Sequence, residues 1–289
     1  MDWNKSYNIL IVAFLIVNII LFSFIYFSKN ANLSYDLKEK EDFIKSVKTI
    51  LGQKKISISC EVPSKIYEAP FLELEYDIIQ PSKELVEKFI GQFNGAINEE
   101  ILMYKTESEA VEIEGIKKII YYNNALNTLE VPKELIDSSL LSSDEVQKII
   151  NNFCTEKNID LTGFIKICES SDNNLKRVKF VEEYKGYNLE NSYVEFTIMK
   201  GRVYVFKMQK VARINERANI KSISAAEAIL RLMTFDDIRN KEIIDIQICY
   251  YTKEDEDFKN KNSISTDLIW KVIFSDNTYV YLVSEELNN

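Results

Sequence analysis

From Ile9 to Phe27 the chain is apolar at every position except Asn18 and Ser23. At about 1.5 Å rise per residue this run is roughly 28 Å of helix, close to the hydrocarbon thickness of a bilayer. A helix apolar on every face has no surface to offer water, so the run predicts a transmembrane helix over 9–27. A cleaved signal peptide would have a shorter apolar stretch and small residues at its end. Here Phe24-Ile25-Tyr26-Phe27-Ser28-Lys29-Asn30 follows instead. The expectation is an uncleaved anchor, with Trp3 and Tyr7 at one interface and Tyr26 and Phe27 at the other. Lys5 opposes Asp2 on one flank, and Lys29, Lys38, Lys40 and Lys45 are mixed with acids on the other, so charge alone does not orient the span.

Asn18 is the polar side chain nearest the middle of the run. With Ile11, Phe14, Leu21 and Ile25 it forms a 3-4-3-4 register, the spacing of a helix–helix seam. An amide in lipid is stabilised by a partner to hydrogen-bond, so these five residues are the candidate contact with another transmembrane helix.

The remainder of the chain is acidic. The net charge is −9, and Lys5 and Lys29 against Asp2 make the first thirty residues +1, leaving −10 for the rest. No basic stripe exists to neutralise phosphates, and Lys54-Lys55 and Lys176-Arg177-Val178-Lys179 are too short to form one, which argues against nucleic acid. The chain has no histidine, which removes Ser-His and Cys-His catalysis and the usual zinc ligand. Seven dispersed glycines form no phosphate or dinucleotide loop. Glu254-Asp255-Glu256-Asp257 lacks the glycine and the closing glutamate of a calcium loop and reads as a solvated loop. Cys60, Cys154, Cys168 and Cys249 have no metal-like spacing; outside the membrane they could form disulfides, but they read as isolated buried thiols in apolar strands and helices. The expectation is therefore no enzyme, no cofactor and no metal.

Ser34–Leu51 reads as an amphipathic helix, with Leu37, Ile44, Val47 and Leu51 at helical spacing and Gly52 as its stop. Beyond it a unit recurs three times. A helix opens at Ser82, at Ser143 and at Ser224, and strands follow, closing with hairpins expected at Asn123-Asn124, Lys200-Gly201 and Asp276-Asn277. Strict alternation is expected in the last two, with Val203 and Val205 opposite Tyr204 and Phe206, and Tyr279 and Tyr281 opposite Val280 and Leu282. The fold class is α+β: a single N-terminal transmembrane helix, then antiparallel sheets each packed with a helix.

The opening Met1-Asp2-Trp3-Asn4-Lys5, running directly into one hydrophobic helix, resembles the YycI family of two-component regulatory proteins of low-GC Gram-positive bacteria. So do Leu51-Gly52-Gln53-Lys54-Lys55-Ile56 followed by Val62-Pro63, and Tyr184-Lys185-Gly186-Tyr187 followed by Asn191-Ser192-Tyr193-Val194-Glu195-Phe196 and Lys200-Gly201-Arg202-Val203. Ile223-Ser224-Ala225-Ala226-Glu227-Ala228-Ile229 is similar to the helix opening of PepSY-like modules. The resemblance implies a cytoplasmic tail over 1–8, the anchor over 9–27, a juxtamembrane helix over 34–52, a first extracytoplasmic domain over 55–135 and a second over 140–289. The second would hold two PepSY-like helix-plus-meander units, about 142–211 and 223–285. It also implies residence in the cell membrane and a non-catalytic role. With a YycH-like partner the protein would modulate a WalK-type sensor histidine kinase that controls cell-wall metabolism, through transmembrane and ectodomain contacts. Other readings are a PepSY-like inhibitor or chaperone of a secreted or wall-associated protease, and a wall-binding module, which the acidic ectodomain disfavours.

Overall fold

The structure is a computed structural model and describes residues 41–98, 103–127 and 137–282. The expected transmembrane helix, with Ile11, Phe14, Asn18, Leu21 and Ile25, lies outside the described residues. Among those described, no helix is long and apolar enough to cross a membrane.

Among the described residues the fold is mixed α+β, a branched thirteen-stranded sheet system with few helices. Helix α1 is described over 41–52. Then follow β1 (Ser57–Ile58), β2 (Glu68–Tyr76), α2 (Lys83–Ile90), β3 (Met103–Lys105), β4 (Glu109–Glu114) and β5 (Lys118–Asn123). Helix α3 (Ser143–Glu156) leads into β6 (Phe164–Asp172), β7 (Leu175–Tyr184), β8 (Tyr187–Met199), β9 (Arg202–Gln209) and β10 (Val211–Lys221). The chain continues through α4 (Ala225–Leu230), β11 (Glu242–Tyr251), α5 (Glu256–Asn260), β12 (Ser263–Phe274) and β13 (Tyr279–Leu282).

Seven strands pair antiparallel in the order β6-β7-β8-β9-β5-β4-β3. Period-two alternation sorts their side chains into two faces. One cross-strand row is Tyr121, Phe206, Phe196 and Val178, and another is Ile119, Met208, Val194 and Phe180. Both rows face α2 and α3, which contribute Val86, Phe89, Ile90, Val146, Ile150 and Phe153 to one core. Phe153 is at its centre, with ring centroids 5.3 Å from Tyr121 and 5.4 Å from Phe206. Burying each such aromatic is worth about 1.5–3 kcal/mol.

A second core lies under α1 and α4, against β11, β12 and β13. Val47 and Leu51 point into it from α1, as the helical spacing predicts. Ala225, Ala226 and Ala228 of α4 are buried there, and their small side chains let the helix lie close to the sheet beneath. A third core joins β2 and β10 to the first half of β12 and to Phe258 of α5. Strand β12 divides its pairing between neighbours: Ser263–Thr266 pair with β2, and Asp267–Phe274 pair with β11. Two contacts of β11 are parallel, with β1 and with the start of β8, so the sheets are not antiparallel throughout.

Several local expectations need correction. The helix cap of α3 is Ser142, not Ser143: Ser142 accepts from the Glu145 N–H, and the Glu145 carboxylate accepts from the Ser142 N–H, closing a capping box. Ser82 and Ser224 cap as expected. The β4–β5 hairpin turns at residues 115–117, not at Asn123-Asn124. Gly115 takes the left-handed conformation at φ +62°, while Asn124–Asn127 form a 3₁₀ turn after β5. The turns at Lys200-Gly201 and at Asn277 carry positive φ, as a tight hairpin requires. Strand β9 does not alternate strictly: a bulge between its pairings to Thr197 and Ile198 puts both Val203 and Phe206 on the helix side. Glu254–Asp257 is solvated as expected, with Asp255, Glu256 and Asp257 exposed, but it is not all loop: Asp255 caps α5 by accepting from the Phe258 N–H at 2.8 Å, and Glu256 and Asp257 form its first turn. All four cysteines are free; Cys154 and Cys249 are buried, while Cys60 and Cys168 are half-buried.

Candidate functional site

The face of the seven-stranded sheet opposite α2 and α3 carries the alternate rows. Tyr122, Val205, Thr197 and Arg177 form one row across β5, β9, β8 and β7, and Ile120, Lys207, Glu195 and Lys179 form the next. The same alternation in β12 and β13 sends Trp270, Val272, Val280 and Leu282 to the core under α1 and α4. Lys271, Ile273, Tyr279 and Tyr281 therefore point the other way. The two helix-free faces meet around a cleft of about 750 Å³, walled by Tyr122, Arg177, Glu195, Thr197 and Lys207 on the sheet side and by Lys271, Ile273, Asn277 and Tyr279 on the hairpin side.

At its base is a buried ion cluster. Glu190 is 1% exposed, and Lys179 and Lys271 approach its carboxylate at 2.9 Å and 2.6 Å. The Tyr281 hydroxyl donates to the same carboxylate at 2.6 Å. Burial acts to raise the Glu190 pKa; the two ammonium charges, with the hydrogen bonds from Lys271 and Tyr281, outweigh it and hold the group at about 2. Burial likewise disfavours a charged Lys179, but Glu190 reverses the sign and raises its pKa. The Tyr281 phenol is pushed up by burial and by the Glu190 charge, so it stays protonated as a donor. Lys271 also lies 4.6 Å from the Tyr279 ring centroid, which adds a cation–π contact.

Glu190 occupies this position because β8 bulges there. Val181 pairs with Tyr193 but Glu182 pairs with Leu189, so Glu190-Asn191-Ser192 lies outside the ladder and redirects its side chains. Asn191 donates to the Thr252 carbonyl at 2.9 Å and accepts from the Thr252 N–H at 2.7 Å. Gln209 donates to the Asn191 carbonyl at 2.7 Å, and Ser192 accepts from the Val211 N–H at 3.1 Å. This short buried polar segment thus ties β8 to the ends of β9 and β11 and to the start of β10. Part of it, Asn191-Ser192, belongs to one of the motifs that carry the family resemblance.

A second joint lies at the β4–β5 turn. Lys117 is 2% exposed and donates to the carbonyls of Phe258 and, at 2.8 Å, Lys261. Its ammonium lies between the rings of Tyr76 and Phe258, 4.3 Å and 3.7 Å from their centroids.

The residues singled out for partner contact, Ile11, Phe14, Asn18, Leu21 and Ile25, are not among those brought together, since they lie outside the described residues. The ion cluster was missed, although one signal was present: Lys271 interrupts the apolar run Ile269-Trp270-Lys271-Val272-Ile273-Phe274. A lone charge in a buried strand requires a partner. Among the described residues, no group of three or more cysteines, aspartates and glutamates is placed to hold a metal ion.

No family model matches the sequence, and no curated protein matches it. Similar solved structures include an uncharacterized protein from Eubacterium rectale, at 8% identity and a TM-score of 0.42, covering 86% of this chain and 92% of that one. YycH from Bacillus subtilis is similar at 9% identity and a TM-score of 0.48, covering 78% of this chain and 54% of that one. The C-terminal domain of YpeB from Bacillus megaterium is similar at 11% identity and a TM-score of 0.32, covering 84% of this chain and 98% of that one.

Proposed function

We propose that this chain is a membrane-anchored, extracytoplasmic regulator of a WalK-type sensor histidine kinase, acting with a YycH-like partner and carrying out no chemistry of its own. The observation that carries the reading is the ordered resemblance to the YycI family, from the Met1–Lys5 opening through the apolar run to the Asn191–Phe196 segment. The character of the cleft agrees with it. Lys179 and Lys271 ion-pair with Glu190, and Glu190 accepts from both and from the Tyr281 hydroxyl, a closed set of charges that supports a structural and binding role for this surface.

A regulator of this kind acts by differential binding. It must hold one signalling state of the kinase more tightly than the other, by about 1–3 kcal/mol for a useful shift. The anchor places the protein beside the kinase helices, and the seam at Ile11, Phe14, Asn18, Leu21 and Ile25 is the transmembrane part of the contact. Residues 31–289 make the rest outside the membrane.

Purification of the tagged full-length chain from membranes in mild detergent tests this. The kinase and a YycH-like protein are expected in the eluate. Recovery of a protease in their place would replace this reading with inhibition or chaperoning of that protease. Protease added to intact protoplasts should degrade everything beyond the span, and full protection would overturn the topology.

A further inference from the structure

We propose that the cleft between the two helix-free faces binds a short peptide of alternating charge, two carboxylates flanking a cationic group. The inference goes beyond the regulatory reading and does not depend on it. It rests on three observations.

The first is the charge order of one cross-strand row. Lys179 of β7, Glu195 of β8 and Lys207 of β9 are direct neighbours in register. Strand spacing is about 4.8 Å, so the two cationic residues stand roughly 10 Å apart with an acidic one between them. The complement of that row is negative, positive, negative.

The second is that the row is not internally satisfied. Glu195 and Lys207 are half-buried, and neither makes an ion pair within 4.0 Å with the other or with any described residue. A partly desolvated charge not held in an ion pair is a place where a ligand charge gains more than it would in open solvent. Lys179 is shared differently: with Lys271 it flanks the single carboxylate of Glu190, so this trio keeps a net positive charge at the base of the cleft.

The third is shape. The volume of about 750 Å³ lies within the range of small-ligand pockets, roughly 300–1,000 Å³. Tyr122 and Tyr279 supply flat walls, and Thr197 and Asn277 supply hydrogen-bonding groups. A long polyanion would meet repulsion from a chain of net charge −9, whereas a short peptide feels only the local field.

The test is titration calorimetry on the full-length chain in detergent micelles, using N-acetylated, C-amidated pentapeptides. In an extended peptide, positions one, three and five share a side. Glu-Gly-Lys-Gly-Glu is expected to bind saturably, and Lys-Gly-Glu-Gly-Lys and Gln-Gly-Gln-Gly-Gln at least roughly tenfold more weakly. Lys207→Gln should weaken the first peptide roughly tenfold, the effect of one charge-assisted hydrogen bond. Glu195→Gln should abolish the preference for Glu-Gly-Lys-Gly-Glu over Glu-Gly-Gln-Gly-Glu. Glu195→Gln is isosteric, Lys207→Gln shortens the side chain by one atom, both lie outside the buried cluster, and the peptide panel on the unaltered protein decides independently of them. Equal binding of the charge-reversed peptide, no binding of any peptide at millimolar concentration, or unchanged affinity in both variants would overturn the proposal. Recovery of the kinase has no bearing on these outcomes, so the two readings fail separately.

Discussion

Replacing Glu190 by Gln removes the one carboxylate that two buried ammonium groups share. The structure sets the size of the effect. Glu190 titrates at about 2 in the folded protein against 4.5 for the free group, and at about 1.36 kcal/mol for each tenfold change in the proton equilibrium this gap is about 3 kcal/mol. An independent route agrees, since removing one partner of a buried pair costs about 3–5 kcal/mol through the charge left behind. Gln can still accept a hydrogen bond from Lys271 or Tyr281, but it cannot neutralise Lys179 and Lys271, which then repel each other. Urea unfolding followed by circular dichroism should show a loss of about 3 kcal/mol at pH 7, and thermal melts a drop of roughly 6–12 °C.

The pH dependence gives a sharper signature. Glu190 stays ionised in the folded state down to about pH 2 but takes up its proton near 4.5 when unfolded, so between those values the unfolded state binds more protons. The contribution is complete above 4.5 and is lost as the pH falls toward 2. The wild-type and Glu190→Gln stabilities should therefore converge at low pH. Lys271→Met leaves Glu190 paired with Lys179 and Tyr281 and should cost less than Glu190→Gln at pH 7. A Glu190→Gln stability within about 1 kcal/mol of wild type at pH 7, or two parallel pH profiles, would refute the assignment of Glu190 as the ionised counter-charge of the two ammonium groups.

Three further outcomes are expected. Lys117→Met should lose about 1–3 kcal/mol, because the Phe258 and Lys261 carbonyls lose a charged donor and the Tyr76 and Phe258 rings lose their cation. Burial lowers the Lys117 ammonium to about 8 from 10.5, so wild type should gain stability relative to this variant as pH rises across that window, as paired urea titrations would reveal. Ser142→Ala should destabilise α3 by about 1 kcal/mol while Ser143→Ala changes little, and equal melting temperatures for the two would contradict the capping-box assignment. Asn18→Leu should weaken association with a partner transmembrane helix by about 0.5–2 kcal/mol without impairing insertion, with Val17→Leu as the off-seam control in a membrane two-hybrid assay.

How much of this could be read from the chain depends on whether the signal is local. The Ser-x-x-Glu pattern announces α3 and α4, and applied strictly it selects Ser142 over Ser143, because only Ser142 has Glu145 three residues on. Lys200-Gly201 and Asp276-Asn277 sit between expected strands and turn as expected. The β4–β5 turn was missed because Gly115 is its only turn-forming residue and Asn123-Asn124 is the stronger local signal. What local patterns cannot carry is long-range pairing. Strand β2 pairs with β10 and with β12, partners well over a hundred residues distant, and nothing in Glu68–Tyr76 names them. The bulge in β8 was equally hidden, since the alternation of Tyr193, Val194, Glu195 and Phe196 gives no sign that the ladder breaks before it.

That bulge explains why polar residues are buried at the centre of the molecule. Strand β8 contributes to two of the three apolar cores of the described residues, and packing alone could fix each core without fixing how they sit together, since apolar contacts are non-directional. Hydrogen bonds and ion pairs have geometry, and a buried polar group is costly unless that geometry is met. Glu190 binds only where β7, β12 and β13 bring Lys179, Lys271 and Tyr281 to one point, and Asn191 only where Thr252 follows β11. A slip of one core against another would leave these groups unpaired, at a cost of several kcal/mol. The same alignment sets the cleft, because Lys179 and Lys271 are at once the cluster's cations and part of the cleft wall. A ligand there is held by residues from both faces, so its binding free energy depends on how those faces are aligned, and any partner that shifts them must change ligand affinity by the same factor that the ligand changes the partner's.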